Sequence, residues 1–158
     1  MSPRGEKLNK QMRAKAVAKI TKAALEVFAE YGYHGTTMKQ IMQASGLSKG
    51  LLYHYFHSKE DIFFHLVDTA LTLSRKTWNN AVNTPGTAWD KIKKLSENLV
   101  KVAFTDESSL YFLIMVQALT QGKGIPGIMK FILERSHHYD ELIPLIMKAQ
   151  ESGEAAQE

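Results

Sequence analysis

The sequence predicts an all-α protein, with a small three-helix domain followed by a larger helical domain. Apolar residues recur three or four positions apart over most of the chain, which is the spacing of an amphipathic helix. Residues that cap helices stand just before these periodic segments, and glycines stand just after them. No stretch shows the apolar and polar alternation of a half-buried strand.

The composition narrows the class of protein. The chain has 158 residues, of which 44% are hydrophobic and 23% charged, as in folded globular domains. It has no cysteine, which excludes disulfides, thiolate zinc sites and a cysteine nucleophile. No apolar run reaches the ~18 residues of a membrane span, and no apolar segment follows the basic N-terminus as in a secretory signal. We therefore expect a soluble cytoplasmic protein.

Positive charge is concentrated at the N-terminus. Residues 1–60 contain 10 Lys+Arg and 4 Asp+Glu, whereas residues 61–158 contain 10 and 12, which together give the net charge of +4. This asymmetry is typical of a segment that meets a polyanion, and a solvated basic tail explains it equally well. The same two readings apply to the basic arm that opens the chain, with Arg4, Lys7, Lys10 and Arg13.

The first two helices are predicted from periodicity and caps. An amphipathic helix is predicted over residues 12–31. Gly32 follows it, at the position where helices often end with a residue in the left-handed conformation. Thr37 and Gln40 have the spacing of a capping box, so a second, short helix is expected over residues 38–45.

The third and fourth helices begin at serine caps. Ser48 is a good N-cap for a helix that runs to about Phe56. Ser58 caps a longer helix over residues 59–82, whose first turn carries the acidic residues that a helix N-terminus favours.

The rest of the chain is also helical. A fifth helix covers residues 89–104, a strongly apolar sixth helix covers 110–121, and the glycine-rich segment 122–127 is predicted to be a loop. A last helical segment covers residues 128–150. Pro144 is expected to kink or split it, because proline removes a backbone donor and clashes with the preceding turn.

Residues 37–56 have the arrangement of a helix-turn-helix. Gly46 permits the backbone angle of the tight turn, and the apolar positions where the two helices must pack are Ile41, Leu47, Leu52 and Tyr55. The second helix is then free to enter a DNA major groove. The alternative is an ordinary helical hairpin in a bundle, but the basic first helix and the polar outer face favour DNA contact.

Residues 11–67 resemble the DNA-binding domain of the TetR family of bacterial repressors. The resemblance is carried by the segment ALEVFAEYGYHGTTMKQIMQASGLSKGLLYHYFHSKEDIF over residues 24–63. Met42 departs from the alanine that is usual in the family, so the helix angles are expected to shift slightly to accommodate it.

The resemblance implies contact with double-stranded DNA. It implies that Thr37 offers its hydroxyl and amide to a phosphate, that Lys39 points to a base edge or phosphate, and that Lys59 clamps a phosphate. It also implies that Ser48 and the helix that follows it contact the DNA: Lys49 donates to guanine, Gly50 lets the backbone approach, Leu51 packs on a thymine methyl, and Tyr53, His54 and Tyr55 meet bases or backbone. For Tyr53 and Tyr55 the alternative is packing in the core.

The second domain resembles the effector domain of the family, which binds a small lipophilic molecule between helices. The candidate ligand-binding residues are Trp78, Trp89, Phe104, Tyr111, Phe112 and Met115. Apolar residues at helical spacing are more often simply core. The polar cluster at residues 137–141 is interpreted as a solvated face. The histidines have neither cysteine nor a well-placed carboxylate beside them, so we predict no metal site and no cofactor.

The length of the chain gives one further expectation. Proteins of the TetR family usually continue for two more long helices, which pair with their copies to form the dimer. We expect these two helices to be absent here, so that apolar faces, above all Leu110–Leu119, are left uncovered and dimerisation uses another surface or is altered.

The function predicted is that of a ligand-responsive repressor. Residues 1–60 would form the DNA-binding domain and residues 61–158 the ligand-binding and dimerisation domain. A homodimer would bind a palindromic operator, and the resemblance implies that an effector releases it by tilting the fourth helix. No catalytic constellation is visible, so an enzyme is not expected. The alternative is a helical interaction module that binds a protein partner or a membrane surface.

Overall fold

The computed structural model describes residues 3–104 and 106–155, except for the side chains of residues 3–5, 103, 106 and 107. The described residues form α-helices and short 3-10 turns, without a strand, which confirms the predicted all-α class. The helices are α1 (Pro3–Gly35), α2 (Met38–Ser45), α3 (Lys49–Tyr55), α4 (Lys59–Val82), α5 (Ala88–Phe104), α6 (Asp106–Gln121), α7 (Ile128–Arg135) and α8 (Leu142–Glu151).

The chain divides into two compact units, and the division falls inside α4, between Leu66 and Val67. The sequence places it earlier, at residue 60. The reason is that the first turns of α4 belong to the packing of the N-terminal unit: Ile62, Phe63 and Leu66 are fully buried. The N-terminal unit is called the head below, and the unit that begins at Val67 the second unit.

Helix α1 is longer than predicted. It begins at Pro3, a residue favoured at the first helical position. The basic arm is therefore helical and continuous with the core part of α1, although the side chain of Arg4 lies outside the described residues. Gly32 has φ 68°, which confirms the predicted break in the helix at this residue.

The core of the head is built from the apolar face of α1 and from the helices after it. Ile20, Val27 and Phe28 are buried, as the amphipathic pattern predicts. Tyr31 has the spacing of the same face, but it is 48% exposed. Tyr33 takes its place, because the chain turns at Gly32 and lays the Tyr33 ring parallel to that of Phe28, with ring centroids 6.2 Å apart.

Helices α2 and α3 have the predicted caps. Thr37 and Gln40 form the full capping box of α2, and Gly46 ends this helix in the left-handed conformation with φ 60° and ψ 25°. The Ser48 hydroxyl accepts a hydrogen bond from the Leu51 amide at the start of α3. Because these local bonds close the helix ends, two helices of only eight and seven residues are held in place between Thr37 and Phe56.

The last helical segment of the second unit differs from the prediction. The last helical segment is divided, but at Ser136 and not at Pro144: α7 ends at Arg135, and a 3-10 turn over His137–Glu141 leads into α8. Pro144 lies in the first turn of α8, where its missing N–H would have no helical partner. Arg135 Nε and Asp68 Oδ1, 2.9 Å apart, join α7 to α4.

Helix α6 begins at Asp106, one turn before the predicted start. Its exposed apolar residues include Phe112, Leu113, Val116 and Leu119, but the most exposed apolar side chains lie on other helices, with Phe104 at 84% and Ile143 at 70%. Among the described helices, none combines the length and the apolar content that crossing a membrane requires.

Candidate nucleic-acid interface

The candidate interface is the outer face of α3 together with the start of α2. Leu52 is fully buried and anchors α3 to the head. Ser48, Lys49, Gly50, Leu51, Tyr53 and His54 are exposed, and Tyr55 is half-buried. The buried residue fixes the orientation of the short helix, so its remaining side chains form a surface that a partner can contact.

Gly50 leaves open space on this surface. A Cβ atom added to Gly50 would meet no other atom within 4 Å. The glycine is therefore not required by packing inside the head. Because Gly50 has no side chain and lies in the exposed first turn of α3, the backbone of α3 can come close to a partner at this position.

Lys49 and Tyr53 lie one turn apart and present a combined cationic and aromatic edge. The Lys49 ammonium is 6.0 Å from the centre of the Tyr53 ring, within reach of a weak cation–π contact. The rings of His54 and Tyr55 meet edge to face at 4.9 Å. The exposed Tyr53 ring is thus not a core residue, whereas Tyr55 is partly one.

At α2 the predicted phosphate donors already have partners. The Thr37 amide and hydroxyl both donate to Gln40 Oε1, at 2.8 and 2.7 Å. A phosphate that binds these two Thr37 donors would have to displace the Gln40 side chain. Lys39 is exposed and has no such competitor among the hydrogen bonds and ion pairs of the described residues.

Lys59 is held by the backbone of the head. Its ammonium donates to the carbonyl oxygens of Tyr33 at 3.0 Å and Thr36 at 3.1 Å, and lies 4.7 Å from the centre of the Tyr33 ring. These bonds satisfy carbonyls at the end of α1 and leave one N–H for other use. The contact of Lys59 with a phosphate remains a prediction. Lys59 also has a structural role, which the sequence did not reveal.

The neighbouring Tyr33 and Glu60 complete this junction. The Tyr33 hydroxyl donates to Glu60 Oε1 at 2.8 Å. Burial, and after it the bond to the Glu60 carboxylate, raises the pKa of Tyr33. The same hydrogen bond from Tyr33 holds the pKa of Glu60 below its usual value. Two adjacent residues of α4, Lys59 and Glu60, therefore tie the start of that helix to the segment that precedes α2.

Sequence reasoning missed the role of Tyr33. The signal that could have found it was its position directly after the glycine break, where the chain has to return to the core. Its partners follow 26 and 27 residues later, beyond the reach of any local pattern.

The structure does not gather the six predicted ligand-binding residues around one cavity in the part of the chain that it describes. Trp78 is buried and packs edge to face with His138 and Tyr139, while Phe104 is 84% exposed. Phe112 is exposed, and Tyr111 and Met115 are half-buried. Trp89 lines an open depression of about 490 Å³ on α5, where the other described lining residues are Ile92, Lys93, Ser96, Glu97, Val100 and Lys101.

No group of three histidine, aspartate or glutamate side chains is placed to hold a metal ion among the described residues. His138 lies against α4, where burial, followed by the charge of Arg75, lowers its pKa. The polar segment 137–141, interpreted from the sequence as a solvated face, is thus solvated only in part.

The head matches a known family of regulators. Residues 20–66 match the profile of bacterial regulatory proteins of the tetR family. This match covers 47 of the 158 residues, so it shows that the head is similar to the DNA-binding domain of these regulators. The matched segment contains the second half of α1, all of α2 and α3, and the first turns of α4.

The chain is also similar to individual transcriptional regulators. It is 41% identical over 71 residues to the HTH-type transcriptional regulator YfiR of Bacillus subtilis (strain 168), a match over 45% of this chain and 33% of YfiR. The chain thus spans about a third of the length of that relative.

Solved structures share the fold over more of the chain. The fatty acid degradation regulator FadR from Bacillus halodurans has 27% identity and a TM-score of 0.71, over 90% of this chain and 72% of FadR. The TetR-family regulator PfmR from Thermus thermophilus has 26% identity and a TM-score of 0.71, over 88% of this chain and 74% of PfmR.

Proposed function

We propose that this protein is a ligand-responsive transcriptional repressor of the TetR type. It binds a palindromic operator in double-stranded DNA as a homodimer, in the cytoplasm, and has no enzymatic activity of its own. The observation that carries the proposal is the surface of α3: a short helix is anchored by the buried Leu52 and presents Lys49, Gly50 and Tyr53 outward.

The chemistry of this surface suits a major groove. Lys49 is a donor at the start of α3, where a side chain can reach the O6 and N7 acceptors of guanine. Gly50 allows the backbone to approach the groove floor, and Leu51 offers an apolar contact to a thymine methyl. The groove is wide enough for an α-helix, and α3 carries no bulky aromatic side chain in its first turn.

Phosphate contacts supply the affinity. In the sequence, Lys39 on α2 precedes α3, the helix proposed to read the groove, and Lys59, with its remaining N–H, follows it. Thr37 adds two more donors if the Gln40 side chain moves away from them. Such contacts orient the head on the duplex and make binding fall with increasing salt concentration.

Two copies are required for a palindrome. Their reading helices would lie about one turn of DNA apart, roughly 34–36 Å. Helix α4 begins in the head and ends in the second unit, so an effector bound by the second unit can act on the head through this helix. We expect the effector to be small and lipophilic. This expectation is supported by the apolar second unit and by FadR, which is by its name a regulator of fatty acid degradation.

A helical module that binds a protein partner is the second candidate. It is favoured by the exposed apolar residues of α7 and α8, among them Leu133, Ile143 and Met147. A membrane-binding first helix is disfavoured, because the apolar face of α1 is buried at Ile20, Val27 and Phe28 and is not free to enter lipid.

The test is selection of bound sequences from random duplex DNA at a stated salt concentration. We expect a palindromic consensus from the native chain. Lys49→Ala should reduce binding and relax the preference at one base pair in each half-site, while Lys148→Ala, which removes an exposed lysine of the second unit, should not. A pool without enrichment would refute DNA recognition, and an enriched half-site without symmetry would refute dimeric binding.

A further inference from the structure

Helix α1 carries a row of lysines on one face. Lys15, Lys19 and Lys22 are four and three residues apart, so they share one side of the helix. All three are exposed, and none has an ion-pair partner among the described residues. These three residues are called the lysine row below.

The lysine row lies beside the turn of the helix-turn-helix. The Lys19 ammonium is 3.8 Å from the position that a Cβ atom of Gly46 would occupy. Gly46 is the first of the three residues between α2 and α3, two positions before the Ser48 cap. The lysine row is therefore on the side of α1 that adjoins the start of the reading helix.

The charge of this part of α1 has one sign. From Lys7 to Lys22 the helix has six basic residues and no acidic one, and the lysine row accounts for half of them. Farther along the same face the sign changes at Glu26 and Glu30. A polyanion is thus attracted to the N-terminal part of this face and repelled from the rest.

The length of the row matches the spacing of DNA phosphates. Lys15 and Lys22 are separated by about 10 Å along the helix axis. One strand of B-form DNA presents a phosphate for each ~3.4 Å of its axis, so about three phosphates fall within that length.

We propose that the lysine row is a second DNA contact, which binds the phosphate backbone beside the base pairs read by α3. The inference rests on the proposed function, since it assigns a further surface to the same complex. It distinguishes α1 from a basic tail: the contact is made by one face of a formed helix and not by the net charge of the segment.

The experiment compares three triple variants of the full chain that remove the same charge. The first is Lys15→Gln, Lys19→Gln and Lys22→Gln. The second is Lys7→Gln, Lys10→Gln and Arg13→Gln, at residues on other faces of α1. The third is Lys101→Gln, Lys123→Gln and Lys148→Gln, at exposed residues of the second unit. Binding of each to a random-sequence duplex pool is measured by fluorescence anisotropy between about 50 and 200 mM salt.

We expect the first variant to weaken binding about tenfold or more at the lower salt concentration. It should also flatten the salt slope by about 2–3, since each phosphate that is no longer neutralised accounts for ~0.9. The third variant should remain close to the native chain, and the second should bind more tightly than the first. Far-UV circular dichroism should be unchanged, because the substituted residues are exposed.

Other results would overturn the proposal. An equal reduction in the first two variants would make α1 an undirected basic tail, and an unchanged salt slope in the first would remove the row from the interface. If only binding to vesicles containing phosphatidylglycerol depended on the row, its partner would be a membrane surface. If the native chain binds no duplex, the proposed function itself is refuted. If the native chain binds duplex DNA and the first variant binds it with the same affinity, this inference alone is refuted.

Discussion

The head and the second unit bury their apolar residues to different extents. In the head, the exposed large apolar residues lie on the start of α1, at Tyr31 and on the outer face of α3. In the second unit they occur on every helix. They are Leu73, Trp89, Leu99, Val100, Phe104, Phe112, Leu113, Val116, Leu119, Met129, Leu133, Tyr139, Ile143, Ile146 and Met147.

The two units also differ in how their helices end. The head closes α2 and α3 with side-chain caps and ties α1 to α4 through Lys59 and Glu60. In the second unit, α5 begins with reciprocal hydrogen bonds between Thr87 and Asp90, whereas α7 and α8 begin without a side-chain cap. Local caps and buried side chains fix the orientation of α3 on the head, whereas the second unit leaves more apolar surface in contact with solvent.

This difference can be measured because the two tryptophans, Trp78 and Trp89, both lie in the second unit. Tryptophan fluorescence during denaturation therefore follows that unit, while far-UV circular dichroism follows the helices of the whole chain. The two signals together separate the response of the head from that of the second unit.

The largest effect is expected for Phe28→Ala. Phe28 is fully buried and contacts Phe63 edge to face at 5.1 Å. Its removal should lower the free energy of unfolding of the head by about 3–5 kcal/mol. Leu133→Ala, at a residue 64% exposed in the second unit, should change stability by no more than ~0.5 kcal/mol. Similar changes in the two variants would contradict the contrast between the units.

Lys59→Ala should lower the stability of the head by about 2 kcal/mol, because it leaves the carbonyls of Tyr33 and Thr36 without their charged donor. The circular dichroism transition should shift, with little change in tryptophan fluorescence. If Lys59 also binds a phosphate, the salt slope of DNA binding flattens by ~1 for all sequences alike. A change in slope with unaltered stability would mean that the bonds to the backbone are unimportant.

Two glycines of the head should respond with opposite signs. Gly46→Ala places a side chain at φ 60° and should cost about 1–2 kcal/mol of stability. Gly50→Ala enters open space in a helix and should raise stability by about 0.5 kcal/mol, yet weaken DNA binding by obstructing the groove. Normal DNA binding by Gly50→Ala would remove this residue from the interface.

The smallest effect is expected for Tyr33→Phe, which removes the hydrogen bond to Glu60 and should cost about 1 kcal/mol at neutral pH. Since the pKa of Glu60 is lowered in the folded state, its contribution is complete above the ordinary pKa of glutamate. The contribution disappears as the pH falls through the lowered pKa. The stability difference between native chain and variant should therefore shrink in acid, and in the variant an NMR titration should find the pKa of Glu60 closer to its usual value. A difference independent of pH would show that the carboxylate is not involved.

Much of the head is predictable because its signals are local. The capping box of Thr37 and Gln40, the turn at Gly46 and the cap at Ser48 each act within one helical turn, and all three are confirmed. The predicted limits of α4 are also correct. The residues assigned to DNA contact and to ligand binding stay predictions, since they depend on partners outside the chain.

The errors arise where packing outweighs local preference. Pro144 has the chemistry to divide the last helix, but the break is at Ser136, where the 3-10 turn brings His138 and Tyr139 against Trp78 of α4. Tyr31 has the spacing of a core residue, yet Tyr33 fills the core after the bend at Gly32.

Periodicity, caps and turn residues thus specified the helices, their order and the helix-turn-helix, because each of these features depends on residues within a few positions of one another. The place of α4 in the head, the bonds of Lys59 and the scatter of the apolar residues of the second unit emerged only from the folded chain. The residues that contact each other in these features are distant in sequence, so no local pattern predicts the contacts. Lys59, for example, lies 23 and 26 residues after the residues whose carbonyls it binds.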